Sequence, residues 1–145
     1  MLYRNILVAI DGSIAAKAAL EHALELARDQ RARLTLMTVV PPVAAVAVAG
    51  SAQVVPLQEA CFNDALNDAV ASVPDDVGLL RILAHGKPAR EIVQRVESGD
   101  YDLIVMGTHG RGRVGEAVVG SVSREVVHRS RTPVLLVRGQ AQPVA

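Results

Sequence analysis

Glycines and small hydroxyl residues crowd one stretch of this chain. It reads Gly107-Thr108-His109-Gly110-Arg111-Gly112-Arg113 and continues Val114-Gly115-Glu116-Ala117-Val118-Val119-Gly120-Ser121. Glycine lets the backbone approach a ligand closely and take positive φ. Successive N–H groups in such a loop form an anion-binding concavity. Gly120-Ser121 stands where a helix is expected to begin, and the free N–H groups of a helix N-terminus favour phosphate. Ser121 can add a hydroxyl donor. Arg111 and Arg113 either add charge to a phosphate site or are solvated loop charges. A second segment of this kind, Asp11-Gly12-Ser13, follows a short apolar run near the N-terminus. Asp11 there either caps the next helix or meets a ligand.

Other chemistry-bearing residues fall into no recognisable constellation. His109 has no nucleophile or carboxylate partner at a familiar spacing and is read as structural or supporting. His22, His85 and His128 fit no metal-ligand pattern and are expected on the surface. The single cysteine, Cys61, cannot form a disulfide within the chain, which makes a reducing compartment the default. It is expected as a small buried hydrophobe on a helical stripe, not as a nucleophile.

The elements that would carry these residues alternate. Ile6–Ile10 is a strand, followed by a helix over 14–31 with Ser13 as N-cap and Ala16, Leu20, Ala23, Leu24 and Ala27 on its buried face. Leu34–Val40 is a second strand. A second helix over 57–73 places Leu57, Cys61, Ala65, Ala69 and Val73 inward. Leu79–Ala84 is a third strand, and Gly86-Lys87-Pro88 opens a third helix with Pro88 in its first turn. Leu103–Met106 is a fourth strand, apolar on both faces. Ser121–Ser130 is the fourth helix and Val134–Val137 the fifth strand. Gly139–Ala145 is expected to fray. Such alternation predicts one α/β domain over 1–145, an open five-stranded parallel sheet with helices on both faces. In the order 3-2-1-4-5 the first and fourth strands are neighbours, and both unusual segments border one crevice at the reversal of winding. The fifth strand is then a bare apolar edge, which predicts a homodimer through Val134–Val137.

Composition narrows the function. Of 145 residues 50% are hydrophobic, yet there are one Phe, two Tyr and no Trp. Aliphatic cores of this kind suit a parallel sheet. The shortage of aromatics disfavours stacking recognition of single-stranded nucleic acid. Formal net charge is zero, with an acidic surplus before residue 81 and a basic surplus after it that could favour an anion. The N-terminal apolar run is too short for a signal peptide, and nothing is long enough to span a membrane, so a cytoplasmic location is expected. Residues 41–56 (PPVAAVAVAGSAQVVP) carry no charge. They are read as a loop shielded by its own Val and Ala, with a lid or partner surface as the functional alternative.

Taken together, Gly107, Gly110, Gly120 and Ser121 match the pattern Gly-x2-Gly-x9-Gly-Ser/Thr. With GTHGRG, GSVSREVVHRSRTPVLLV and the opening NILVAIDGS, the chain from Tyr3 to Arg138 resembles the universal stress protein family. The resemblance implies an adenine nucleotide alpha hydrolase-like, Rossmann-like fold and binding of ATP, or of AMP or ADP, with Mg2+ held through the phosphates. It places Asp11 by the adenosine, the backbone of Val39 at the adenine, and Gly107 and Gly110 near the ribose and phosphates. Gly120, Ser121 and Ser123 would hold the phosphates, and Arg111 and Val122 beside them are counted as candidate cofactor-binding residues. It also implies dimerisation through the last strand, a regulatory role in stress response and a client protein that the sequence does not name. The uncharged segment 41–56 departs from many relatives, where it is polar. No Walker A Lys-Ser/Thr follows the glycines, and the Ser-Gly-Gly-x-Asp-Ser loop of the related ATP-pyrophosphatase fold is missing. The expectation is therefore a nucleotide-binding protein, not an enzyme. A slow ATPase and a ligand-free interaction module are the alternatives.

Overall fold

A computed structural model describes residues 2–42, 54–109 and 119–139, with residues 54–56 as backbone only. The expectations for Gly110, Arg111 and Arg113, for most of segment 41–56 and for the tail after Gly139 lie outside the described residues. The elements run β1 (Asn5–Ala9), α1 (Ile14–Gln30), β2 (Arg33–Val40), α2 (Val54–Ala71), β3 (Leu79–His85), α3 (Pro88–Ser98), β4 (Leu103–Gly107), α4 (Ser121–Arg129) and β5 (Val134–Val137). Every strand and helix expected from the sequence is present, and α2 begins and ends slightly earlier than its apolar pattern suggested.

Local chemistry sets the helix ends. At α1 the Ser13 hydroxyl accepts the Ala16 N–H at 3.1 Å, which satisfies one of the donors a helix start leaves open. Asp11 does not cap directly; its Oδ1 accepts the Ser13 N–H at 2.8 Å and so holds the capping residue in place. Gly12 between them has φ of 83°, a left-handed conformation that glycine adopts without steric cost. Pro88 starts α3, where its missing N–H costs nothing.

The strands form one parallel sheet in the order β3-β2-β1-β4-β5. Alternation along each strand sends side chains to two cores. Ile6 and Val8 of β1, Leu34 and Leu36 of β2, and Leu103 and Val105 of β4 pack with Ala19, Leu20, Ala23 and Ala27 of α1 and Leu66 of α2. Leu7, Met37, Val39, Ile104 and Met106 face the opposite way, onto Ala89, Ile92, Val93 and Val96 of α3 and Val126 of α4. Right-handed crossovers put α1 and α2 on one face and, once the winding reverses, α3 and α4 on the other, and that reversal lies between β1 and β4.

The inward face of α2 differs from expectation. Leu57 is 68% exposed and Cys61 is exposed, whereas Leu66 is fully buried and Ala65, Ala69, Val70 and Val73 pack beside it. The physical reason is helical pitch. At 3.6 residues per turn a strict four-residue spacing overshoots by about 40° per step, so Leu57 and Val73 cannot share a face.

Packing at the β4 end is tight. A Cβ on Gly107 would lie 2.6 Å from the Ala15 Cβ, 2.7 Å from the Ala15 carbonyl carbon and 2.9 Å from the Ala16 nitrogen. Two of these atoms are backbone, so a side chain there must push the start of α1 off the sheet. Gly107→Ala is expected to cost about 1–3 kcal/mol, the usual range for overpacking. Urea unfolding would measure it, and an unchanged midpoint would show that α1 does not rest on this glycine.

Candidate functional site

The carboxyl ends of β1 and β4 splay apart at the reversal of winding, and a cavity of about 300 Å³ opens there. Crevices of this size at this place in α/β sheets are where ligands bind. One half of the lining is apolar: Ala9 of β1, Met37 and Val39 of β2, Met106 of β4, Pro88 and Ile92 of α3, with Pro41 and Phe62 closing one side. The other half holds Asp11, His109 and the run Gly120-Ser121-Val122-Ser123.

The polar half is built by hydrogen bonds that fix the loop ends. The Thr108 N–H donates to the Val137 carbonyl at 2.9 Å, and the Gly120 N–H donates to the Thr108 carbonyl at 2.6 Å. Ser123 is buried, and its hydroxyl donates to the Gly107 carbonyl at 2.7 Å. The start of α4 is thereby pinned against the end of β4. Across the crevice the Ser13 hydroxyl reaches the His109 carbonyl at 3.4 Å, so the two unusual sequence segments touch.

Gly120 is the N-cap of α4 and offers no side chain, so no side-chain hydrogen bond caps this helix. A helix start carries several N–H groups without intrahelical partners and a partial positive charge. Here those groups belong to residues that line the cavity. Gly120 has φ of −66° and ψ of 163°, ordinary extended backbone, so positive φ is not what glycine supplies at this position; it is the absence of a side chain in a buried wall.

Asp11, Val39, Gly107, Gly120, Ser121, Val122 and Ser123 all line this one cavity. Gly110 and Arg111 lie outside the described residues. The side-chain position of Gly107 is taken up by the first turn of α1, so this glycine admits the helix. Ser121 is exposed at the mouth, and the Ser123 hydroxyl is spent on the protein's own backbone. His109 shares a 3.0 Å hydrogen bond between Nδ1 and the Thr108 hydroxyl, and its buried Nε2 finds no partner among the described residues. Among the described residues no group of three or more His, Cys, Asp or Glu side chains gathers as a metal site, and no helix is long and apolar enough to cross a membrane.

Of the apolar half, the sequence pointed to Val39 alone. Met37 and Val39 share a strand face by simple alternation, and that signal was readable. Phe62 and Pro41 carried none, because only folding brings α2 over the end of β2.

The universal stress protein family pattern matches residues 2–138. A universal stress protein of Thermus aquaticus, encoded beside a QAH/OAS sulfhydrylase, is 35% identical over 94% of this chain and 100% of its own length. The solved structure of hypothetical protein MJ0577 superposes with a TM-score of 0.81 at 27% identity, covering 98% of this chain and 100% of that one. The universal stress protein from Archaeoglobus fulgidus, solved in complex with dAMP, is 26% identical with a TM-score of 0.68 over 94% of this chain and 99% of its own. With its five strands, its crevice and its glycine pattern, the chain belongs to the universal stress protein family.

Proposed function

We propose that this protein binds an adenine nucleotide, ATP foremost, in the crevice between β1 and β4, and that it serves the stress response as a regulatory binding protein, not as a fast enzyme. The observation that carries the reading is the uncapped start of α4 in the wall of a cavity whose lining is otherwise largely apolar. A nucleotide combines the matching features, a flat apolar base and phosphate oxygens. The N–H groups of Ser121, Val122 and Ser123 are the donors for the phosphates. Asp11 stands on the opposite wall as a carboxylate acceptor for sugar hydroxyls, and Val39 belongs to the apolar lining. The family pattern adds Gly110 to the proposed binding residues by sequence alone, and Arg111 follows it as a candidate charge for the phosphates. The dAMP complex of the Archaeoglobus fulgidus relative supports an adenine ligand. Magnesium would arrive on the phosphates, as that ion usually keeps to phosphate oxygens, waters and one or two carboxylates. The setting is cytoplasmic, and a client protein would read the nucleotide state.

A ligand that binds only the folded state stabilises it by mass action, by about 2.7 kcal/mol at a hundred times its Kd. ATP is expected to raise the melting temperature, and GTP to raise it less. Equal shifts with both would remove the claim for adenine, and no shift with either would leave a ligand-free interaction module.

Replacing the buried glycine of the cavity wall tests the phosphate end. Gly120→Val keeps an allowed backbone conformation but puts two methyl groups beside the α4 donors. Nucleotide titration is expected to show binding lost while circular dichroism is unchanged. Undiminished affinity would mean that phosphates do not sit at this helix.

The assembly we propose is a homodimer through β5. This strand is an edge of the sheet, and Val134, Leu135 and Leu136 are only half-buried within one chain. Pairing with a second copy about a two-fold axis would satisfy the open backbone groups and cover these side chains. Sedimentation should give a dimer for the wild type and a monomer for Leu136→Glu. A wild type that stays monomeric at tens of micromolar, roughly the range of weak association, would rule this interface out.

A further inference from the structure

Aromatic side chains are so scarce here that their placement is informative. The chain has two tyrosines and one phenylalanine. Tyr3 precedes β1 and Tyr101 precedes β4, where its hydroxyl is 3.0 Å from that of Thr35. Both therefore sit at the amino ends of the strands, away from the crevice. Phe62 alone stands at the carboxyl ends, and it lines the cavity. It comes from α2, a helix whose neighbouring turn is devoted to the core through the fully buried Leu66. Position 62 instead lines the cavity, as Pro41, Met37 and Val39 do.

A phenyl ring brings no hydrogen bond and no charge. What it offers a ligand is a flat apolar face, worth most against another flat π-system. The α4 residues in the same lining already offer helix N–H groups to the charged part of a ligand, so the ring's share is the apolar part. We infer that Phe62 covers the nucleobase and is a positioning and selectivity residue of this site: it favours a large purine face over a small pyrimidine and sets where the base lies relative to the α4 donors. This rests on the nucleotide reading above and adds a base-contacting residue from a helix that the glycine pattern does not touch.

The chain has no tryptophan, so Phe62→Trp introduces a single clean fluorophore at the proposed contact. ATP is expected to quench it saturably, and inorganic tripolyphosphate, which has no base, is expected to bind without quenching. In parallel, Phe62→Leu keeps an apolar side chain of similar reach but removes the π-face. It should weaken ATP by roughly five- to a hundredfold, the range that loss of one stacked base spans, narrow the preference for ATP over UTP, and leave tripolyphosphate affinity within about twofold, inside the usual scatter of surface changes. Melting temperature and circular dichroism of each variant report whether the fold is kept. ATP affinity unchanged in Phe62→Leu, or equal loss for ATP and tripolyphosphate, would overturn the assignment. A wild type that binds neither compound would instead overturn the nucleotide reading itself, and this inference with it.

Discussion

Everything at the carboxyl end of the sheet depends on how closely α1 comes to β4. No side chain separates them: the space a Cβ on Gly107 would fill already holds Ala15 and the backbone of Ala16. Gly139, just after β5, is under the same constraint, with the Ala15 nitrogen 2.8 Å from where its Cβ would be. The first turn of α1 is thus seated between two glycines on neighbouring strands. That seating puts Ser13 within reach of the His109 carbonyl and leaves Asp11 facing the crevice. Small residues on α1 complete it, since Ala15, Ala16, Ala19 and Ala23 are all buried. Bulkier side chains would lift the helix, and the crevice would lose its wall.

The second consequence is a wall of prepared backbone donors that stands beside the Asp11 and His109 side chains. These donors are main-chain N–H groups at the start of α4, held in position by hydrogen bonds from Gly120 to Thr108 and from Ser123 to Gly107. Donors fixed in this way need no reorganisation to meet an anion, and a glycine N-cap leaves them open. Asp11 is itself tied to the Ser13 N–H through one oxygen, which orients the other. A rigid frame of small residues and backbone donors suits recognition.

The two edges of the sheet are finished differently. On β3, Arg81 donates to Asn63 and to Asn67 of α2, and His85 lies 2.7 Å from Glu59. That face of the edge is covered by a helix and dressed with polar contacts, which discourages pairing with another chain. Leu80 on its other face remains 53% exposed. At β5 the four residues are all aliphatic, with no lysine and no charge among them, and only Pro133 limits the strand's start.

Much of the fold was legible in the residues. The β-branched runs, Ser13 as a cap, Pro88 at a helix start and the strict alternation of strands and helices led to the sheet order without any coordinates, because each signal is local and the parallel topology follows from handedness. The glycine pattern likewise marked one end of the cavity, since phosphate-binding loops need residues of those types at that spacing. The face of α2 was not legible. An apolar helix with alanines on several sides has no unique inward stripe by sequence, and contact with β2 chose Leu66 over Cys61. The role of Gly107 was also hidden, because a glycine that admits a helix and a glycine that admits a ligand look alike in a sequence. Phe62 shows the limit most plainly. Its distance from the glycine loop along the chain is long and carries no spacing rule, and its place in the cavity is decided by how α2 packs on the sheet. Local chemistry is written in the order of residues; which surfaces meet across the sheet is decided by packing.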